Sequence, residues 1–212
     1  MKVLQILPQL NIGGVERGTL DLSKALIHKG HQSFVISGGG VLVDELTQCG
    51  AKHYEIPVHI KSLRTLSLAK RLSETISSID PDIVHVRSRM PAWVNYRAFK
   101  MLQKKPLLVS TFHGLYSFPI YSKVMSFVDH SIAISKTVER YILENYKLDK
   151  GDITVIPRGC DPLEFNNEVI NPVDKANIIE EFPQIVGKKV LTIPGRITKW
   201  KGVAEFLSLI HI

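Results

Sequence analysis

The sequence predicts an α/β fold, a doubly wound parallel sheet followed by the start of a second, similar domain, on three observations. Short apolar runs alternate with longer amphipathic ones through about the first 160 residues, the pattern of a sheet whose strands return through helices on both faces. Gly30 and Gly50 close the first two helical runs, where a left-handed cap is usual. A chain of 212 residues, 44% apolar and 22% charged, can also bury a sizeable core.

In chain order, strands are expected at 2–7, 32–37, 52–57, 82–86, 107–111, 129–134 and 153–156. Each is a short strand-like run alternating with a longer helix-like one. Helices are expected at 15–29, 41–49, 63–79, 91–103, 118–127 and 136–146, where apolar residues recur at three- and four-residue spacing. Residues 1–161 thus form the first domain. From Pro162 to Pro183 the chain turns polar and rich in turn residues, so 162–187 reads as a linker with room for one short helix. Residues 188–212 read as one more strand, Val190-Leu191-Thr192-Ile193, and a helix that opens at Trp200-Lys201-Gly202. A lone βα unit cannot cover both faces of its strand, so a second domain is announced and cut short.

Composition narrows the function less. No stretch approaches the roughly 20 apolar residues of a membrane span, and Met1-Lys2 runs straight into strand-like residues without a signal-peptide pattern. A cytoplasmic protein is expected. Cys49 and Cys160 have no metal or redox spacing. The net charge of +7 favours anionic partners. With the basic residues scattered and no nucleic-acid signature, a nucleic-acid role is not expected. Attraction to the anionic inner face of a membrane remains open.

Several residues sit at positions suited to chemistry. Arg196 and Lys201, in GRITKWKG, fall in a strand-to-helix loop, where a planar fork and a point charge suit a diphosphate. They also read as solvated surface charges. Gly13 and Gly14, in the loop after the first strand, let backbone approach a ligand, although GGxxxG is not the GxGxxG of dinucleotide sites and a bare tight turn reads equally well. Glu16 reads as a favourable charge in a first helical turn. Arg87 and Arg89 follow the fourth strand, and His113 and Gly114 the fifth, all at the carboxyl edge where open sheets bind ligands. Arg158 lies where the chain leaves the first domain and lines the cleft or stabilises the hinge. Trp93 reads as a packing residue. Asp80-Pro81-Asp82 matches a metal-holding DxD, but it precedes its strand and reads as a connector.

GRITKWKG resembles the GR-x4-KG signature of the family 4 glycosyltransferases, two-domain enzymes of the GT-B architecture. The resemblance extends through Asn11-Ile12-Gly13-Gly14-Val15-Glu16, IVHVRSRMPAW at 83–93, STFHGLYS at 110–117, IAISKTV at 132–138 and VIPRGCDPLEF at 155–165. It implies a Rossmann-like acceptor-side domain, the start of a donor-binding domain, and retaining, metal-independent transfer of a sugar from a nucleotide-sugar, a substrate and not a cofactor. It implies that Arg196 and Lys201 neutralise the donor diphosphate, and that the Gly13-Gly14 loop closes over those phosphates or the acceptor. His113 would approach the transferred sugar through its imidazole or backbone carbonyl, and Gly114 would leave the sugar room. Arg87, Arg89 and Arg158 would line the acceptor side. The implied acceptor is a cell-surface glycan or lipid-linked sugar, as in polysaccharide or lipopolysaccharide assembly.

The family's E-x7-E pair does not occur before the sequence ends, so the chain by itself is expected to be inactive. Leu-Ser-Leu-Ile-His-Ile at 207–212 is what CTGTCTCTTATACACATC encodes, the mosaic end of a transposase sequencing adapter; a real continuation of the helix is the alternative, and the source codons decide. A nucleotide-sugar 2-epimerase of the same architecture, or a non-catalytic binding fragment, are the competing functions.

Overall fold

The computed structural model describes residues 1–60, 67–116, 119–162, 171–195 and 197–209. The chain divides into two compact units, Met1–Arg158 and Gly159–Ile212. The first unit therefore ends three residues before the boundary read from the sequence.

Unit 1 is a seven-stranded sheet: β1 (Lys2–Ile6), β2 (Gln32–Ser37), β3 (Lys52–Glu55), β4 (Ile83–Val86), β5 (Leu107–Phe112), β6 (His130–Ala133) and β7 (Ile153–Val155). Every pairing is parallel and the order is β3-β2-β1-β4-β5-β6-β7. Strand order reverses between β1 and β4, which makes the crevice beyond their carboxyl ends the expected ligand position.

The helices are α1 (Gly14–His28), α2 (Val43–Gln48), α3 (Ala69–Ile79), α4 (Arg89–Phe99), the single turn α5 (Pro119–Ser122) and α6 (Lys136–Asn145). One sheet face carries Leu4, Ile6, Phe34, Ile36, Val84, Val86 and Phe112, packed on Leu72 and Ile76 of α3, Ala92 and Ala98 of α4, and Ile142 of α6. On the other face Leu7, Leu10 and Val35 meet Leu20 of α1 and Leu46 of α2. Gly30 and Gly50 take positive φ after α1 and α2. Ser135 caps α6, its hydroxyl accepting from Val138 N at 3.2 Å.

Three elements depart from the periodicity. The helix expected at 63–79 is regular only from Ala69, residues 61–66 lying outside the described residues. The helix expected at 91–103 spans Arg89–Phe99, closed by turns at Lys100 and Met101. The stretch expected as one helix at 118–127 is the single turn α5, opened by Pro119, followed by a 3₁₀ turn over Lys123–Ser126.

Asp80 is the left-handed cap of α3 at φ 47°. Its carboxylate accepts from Lys104 Nζ at 2.7 Å, while Asp82 Oδ2 accepts from Lys2 N at 2.7 Å. Both carboxylates of the DxD string thus tie loops together at the amino edge of the sheet.

Unit 2 contains α7 (Pro172–Glu181), capped by Asn171 with Pro172 at its first position, and α8 (Val203–Ser208), preceded by a 3₁₀ turn over Lys199–Lys201. The strand expected at 190–193 does not form. A strand needs a neighbour for its backbone groups, and among the described residues of this unit none pairs with it; Leu191 is 81% exposed.

Candidate active site

The carboxyl edge of unit 1 collects the side chains that bear on chemistry, and strand register places the first of them. Gln5 on β1 pairs with His85 on β4, so the two share the sheet face that α1 covers, with Arg87 two residues beyond His85. All three are buried. Gln5 Nε2 donates to Thr19 O at 3.1 Å and Ser23 Oγ at 3.0 Å on α1, which leaves its Oε1 to accept from Arg87 Nη1 at 2.7 Å. Ser33 Oγ on β2 bonds Ser23 Oγ at 3.0 Å. This buried polar chain fixes which way the Gln5 amide points.

Arg87 Nη1 also donates to Gly18 O at 3.3 Å. Arg158, just beyond β7, donates through Nη1 to Gly14 O and through Nη2 to His113 Nδ1, the latter at 2.9 Å. Gly14 and Gly18 are four residues apart and so lie on one face of α1. A Cβ on Gly14 would come within 2.9 Å of Arg158 Nη1, and one on Gly18 within 3.3 Å of Arg87 Nη2. The space that the glycines leave is occupied by the chain's own arginines. Gly13 differs: a Cβ there would collide with the Glu16 carboxylate, which curls back over the helix start, as the positive end of the dipole favours.

His113 stands next to this pair. Arg158 is a donor only, so Nδ1 is the acceptor and the neutral ring carries its proton on Nε2. That Nε2 is buried without a partner, as is Arg87 Nε. Burial first, then the nearby Arg87 and Arg158 charges, lower His113 to about 3, so it is neutral at physiological pH. Burial, with the Arg158 charge, lowers Arg87 to about 10 against the opposing pull of Asp21 and Glu16; it remains charged. Beneath them His85, bonded through Nε2 to Thr111 Oγ1 at 2.7 Å, is held well below its ordinary value, chiefly by burial.

Arg89, at the first turn of α4, belongs to a different grouping. Its guanidinium lies 4.8 Å from the Tyr116 ring centre and 5.5 Å from that of Tyr121, and Nη1 reaches Ser122 Oγ at 3.4 Å. Tyr116 connects the two groups, its hydroxyl accepting from His113 N at 3.5 Å. Trp93 stacks beside Tyr121 and donates to its carbonyl at 2.9 Å, a packing role. A Cβ on Gly114 would meet nothing within 4 Å, so the space beside it is open.

In unit 2, Lys201 lies in the 3₁₀ turn, and its Cδ is 4.0 Å from where a Gly195 Cβ would be. Arg196 lies outside the described residues. Two open concavities of about 570 and 590 Å³ are found at the amino edge of the sheet, one lined by Leu107 and Asp129, the other by Asp80 and Lys104. Among the described residues neither is lined by a buried polar side-chain atom left without a partner, of the kind that Arg87 and His113 carry, so the carboxyl edge is the stronger site.

Sequence reading missed Gln5, His85, Gly18 and the two tyrosines. Its one available signal was polarity out of place, a glutamine within KVLQI and a histidine within IVHV.

Residues 12–163 match the family model for Glycosyltransferase Family 4. A solved glycosyltransferase from Rickettsia africae ESF-5 is 36% identical and superposes with a TM-score of 0.77, covering 99% of this chain and 57% of that one. Anabaena HepE, solved in complex with UDP and glucose, is 16% identical with a TM-score of 0.78, covering 99% of this chain and 57% of its own. A human phosphatidylinositol N-acetylglucosaminyltransferase subunit is 25% identical over 190 residues, 80% of this chain and 38% of that protein. The chain spans 38% of the length of the curated relatives it matches. Among the described residues no helix is long and apolar enough to cross a membrane.

Proposed function

The chain belongs to Glycosyltransferase Family 4, and from that premise we propose that it is the acceptor-side half, with the opening of the donor-side half, of a retaining, metal-independent transferase. The enzyme moves a sugar from a nucleotide-sugar to a glycan or lipid-linked acceptor destined for the cell surface. The single observation that carries this reading is the convergence of Arg87, Arg158 and neutral His113 on one carboxyl edge, all presenting donors. Such a site suits an oxygen-rich, anionic substrate. HepE, of the same fold, was solved with UDP and glucose, and the human relative's name gives a phosphatidylinositol substrate.

In this reading Arg196 and Lys201 neutralise the leaving diphosphate, and the Gly13-Gly14 loop closes over those phosphates or the acceptor. His113 orients the transferred sugar, Gly114 leaves it room, and Arg87, Arg89 and Arg158 line the acceptor side. The enzyme works in the cytoplasm, touching the inner membrane face peripherally; the exposed Leu115 and Ile120, in and after the β5 loop, suit that contact.

The test is to incubate the transferase, extended to the length of its relatives, with nucleotide-sugars and extracted acceptor lipid in the presence of EDTA. The reading expects transfer with retained anomeric configuration, and none by the 212-residue chain alone. Loss of all transfer in EDTA overturns metal independence; isomerisation of free nucleotide-sugar without acceptor identifies a 2-epimerase instead.

A further inference from the structure

Arg87 and Arg158 are unusual in what they lack. Among the described residues the ion pairs involve Arg17, Lys24, Lys70 and Lys104 with Glu45, Glu74 and Asp80, and neither Arg87 nor Arg158 makes one. Both instead bond neutral groups: a glutamine amide, two helix carbonyls and an imidazole nitrogen. Two guanidinium groups packed on one helix face repel each other, and Arg87 is only 7% exposed. Asp21 and Glu16 attract Arg87 but neither bonds it, and a buried cation without a bonded counter-charge is destabilising unless something supplies one. Two donors remain unused here, Arg87 Nε–H and His113 Nε2–H, each buried and without an acceptor.

We propose that Arg87, Arg158 and the Nε2–H of His113 form an oxyanion subsite that takes a phosphate group of a substrate, separate from the Arg196–Lys201 loop. The subsite rests on the transferase reading only for the origin of that phosphate. It assigns the His113 imidazole to the phosphate and leaves the His113 backbone carbonyl for the sugar. Arg158 also acts through the ring, because by occupying Nδ1 it fixes the tautomer that points a proton, and not a lone pair, at the anion. Gln5 is a positioning residue, holding Arg87 by a neutral acceptor so that its charge is not consumed internally. A carboxylate in its place would cancel the site.

The phosphate comes from the nucleotide donor or from a phosphorylated acceptor, and the two differ in form. The whole 212-residue chain, labelled with ¹⁵N-histidine, is titrated by NMR at neutral pH with inorganic phosphate, pyrophosphate and a sugar phosphate monoester, against chloride of equal ionic strength. Saturable displacement of the His113 Nε2 signal is expected with phosphate probes and not with chloride. The His113 pKa should also rise from its low value when the anion is bound, because the anion offsets Arg87 and Arg158; His85, Glu16 and Asp21 also face this group of charges. Preference for pyrophosphate identifies the donor as the source, and preference for the monoester identifies the acceptor.

Arg158→Gln, at an exposed position, should weaken binding about tenfold to a hundredfold, the loss of a charge-assisted contact. Gln5→Glu should do the same while keeping Arg87 bonded. Absence of a saturable His113 displacement with every phosphate probe, or unchanged affinity in both variants, overturns the subsite and leaves the arginines as ties between strands and helix. Either result is independent of sugar transfer, so a failed transferase assay and a failed binding assay are told apart.

Discussion

The two faces of the unit 1 sheet are built on different terms. The face against α3, α4 and α6 is mostly apolar, from Leu4 and Ile6 through Val84 and Val86 to Phe112, its buried Ser110 and Ser131 hydroxyls bonded only to each other at 3.1 Å. The face against α1 carries Gln5, Ser33, His85 and Arg87 in the same strands, all buried. The first holds unit 1 together by removing hydrocarbon from water; the second gives part of its burial to a hydrogen-bonded chain that aims two arginines and a histidine at the carboxyl edge. Stability and site are thus divided between opposite sides of one layer, and substitutions should separate them.

The largest effect is expected on the apolar side. Phe112 is fully buried, so Phe112→Ala should cost about 3–5 kcal/mol, measured by urea unfolding. A similar loss from a polar-face variant would end the division of labour. Next is acid sensitivity, which belongs to the other face. His113 is lowered to about 3 in the folded chain, against about 6.5 when unfolded. The unfolded chain therefore binds more protons between those values, so this contribution is fully present above pH 6.5 and is lost as pH falls toward 3. Between pH 7 and pH 4 the loss is on the order of 3 kcal/mol, and His113→Asn should flatten unfolding free energy over that interval by this amount. His85 and His53, also lowered by burial, retain the rest of the slope.

Gln5→Leu comes third, at about 1–3 kcal/mol, because it leaves buried Arg87 Nη1 only the longer bond to Gly18 O at 3.3 Å and removes one donor from each of Thr19 O and Ser23 Oγ. It should reduce phosphate binding more than its stability cost alone explains, whereas a conservative change on the apolar face, such as Ile36→Val, should lower stability and spare binding. The smallest effect is at the surface. Glu45 receives Arg17 and Lys24, each at 2.9 Å, all three well exposed, and Glu45→Gln should cost less than about 1 kcal/mol.

How much of this was legible in the sequence follows the same division. All seven strands of unit 1 could be read because short strand-like runs alternate with helical ones, even where, as in KHYE of β3, the run itself is polar, and the carboxyl-edge positions of Arg87 and His113 followed from their place just after a strand. The polar chain could not be read, since Gln5 acquires its meaning only from Arg87, 82 positions away. GGVERG was visible as a glycine loop suited to a ligand, but the atoms that enter the space at Gly14 and Gly18 come from remote arginines. Val190 to Ile193 failed as a strand for a related reason: local apolarity proposes a strand, and only a neighbouring strand makes one.

The contact between Arg158 and Gly14 joins residues 144 positions apart, the last residue of unit 1 to the first residue of its first helix. During synthesis, at about 5–20 residues per second, roughly 7–30 s separate their emergence. Arg87, the partner of Gln5, emerges about halfway through that interval, and from then on the nascent β1–α1 layer lacks only Arg158. A ribosome pausing just short of codon 158 would therefore hold this layer open, and a chaperone would meet it in that state.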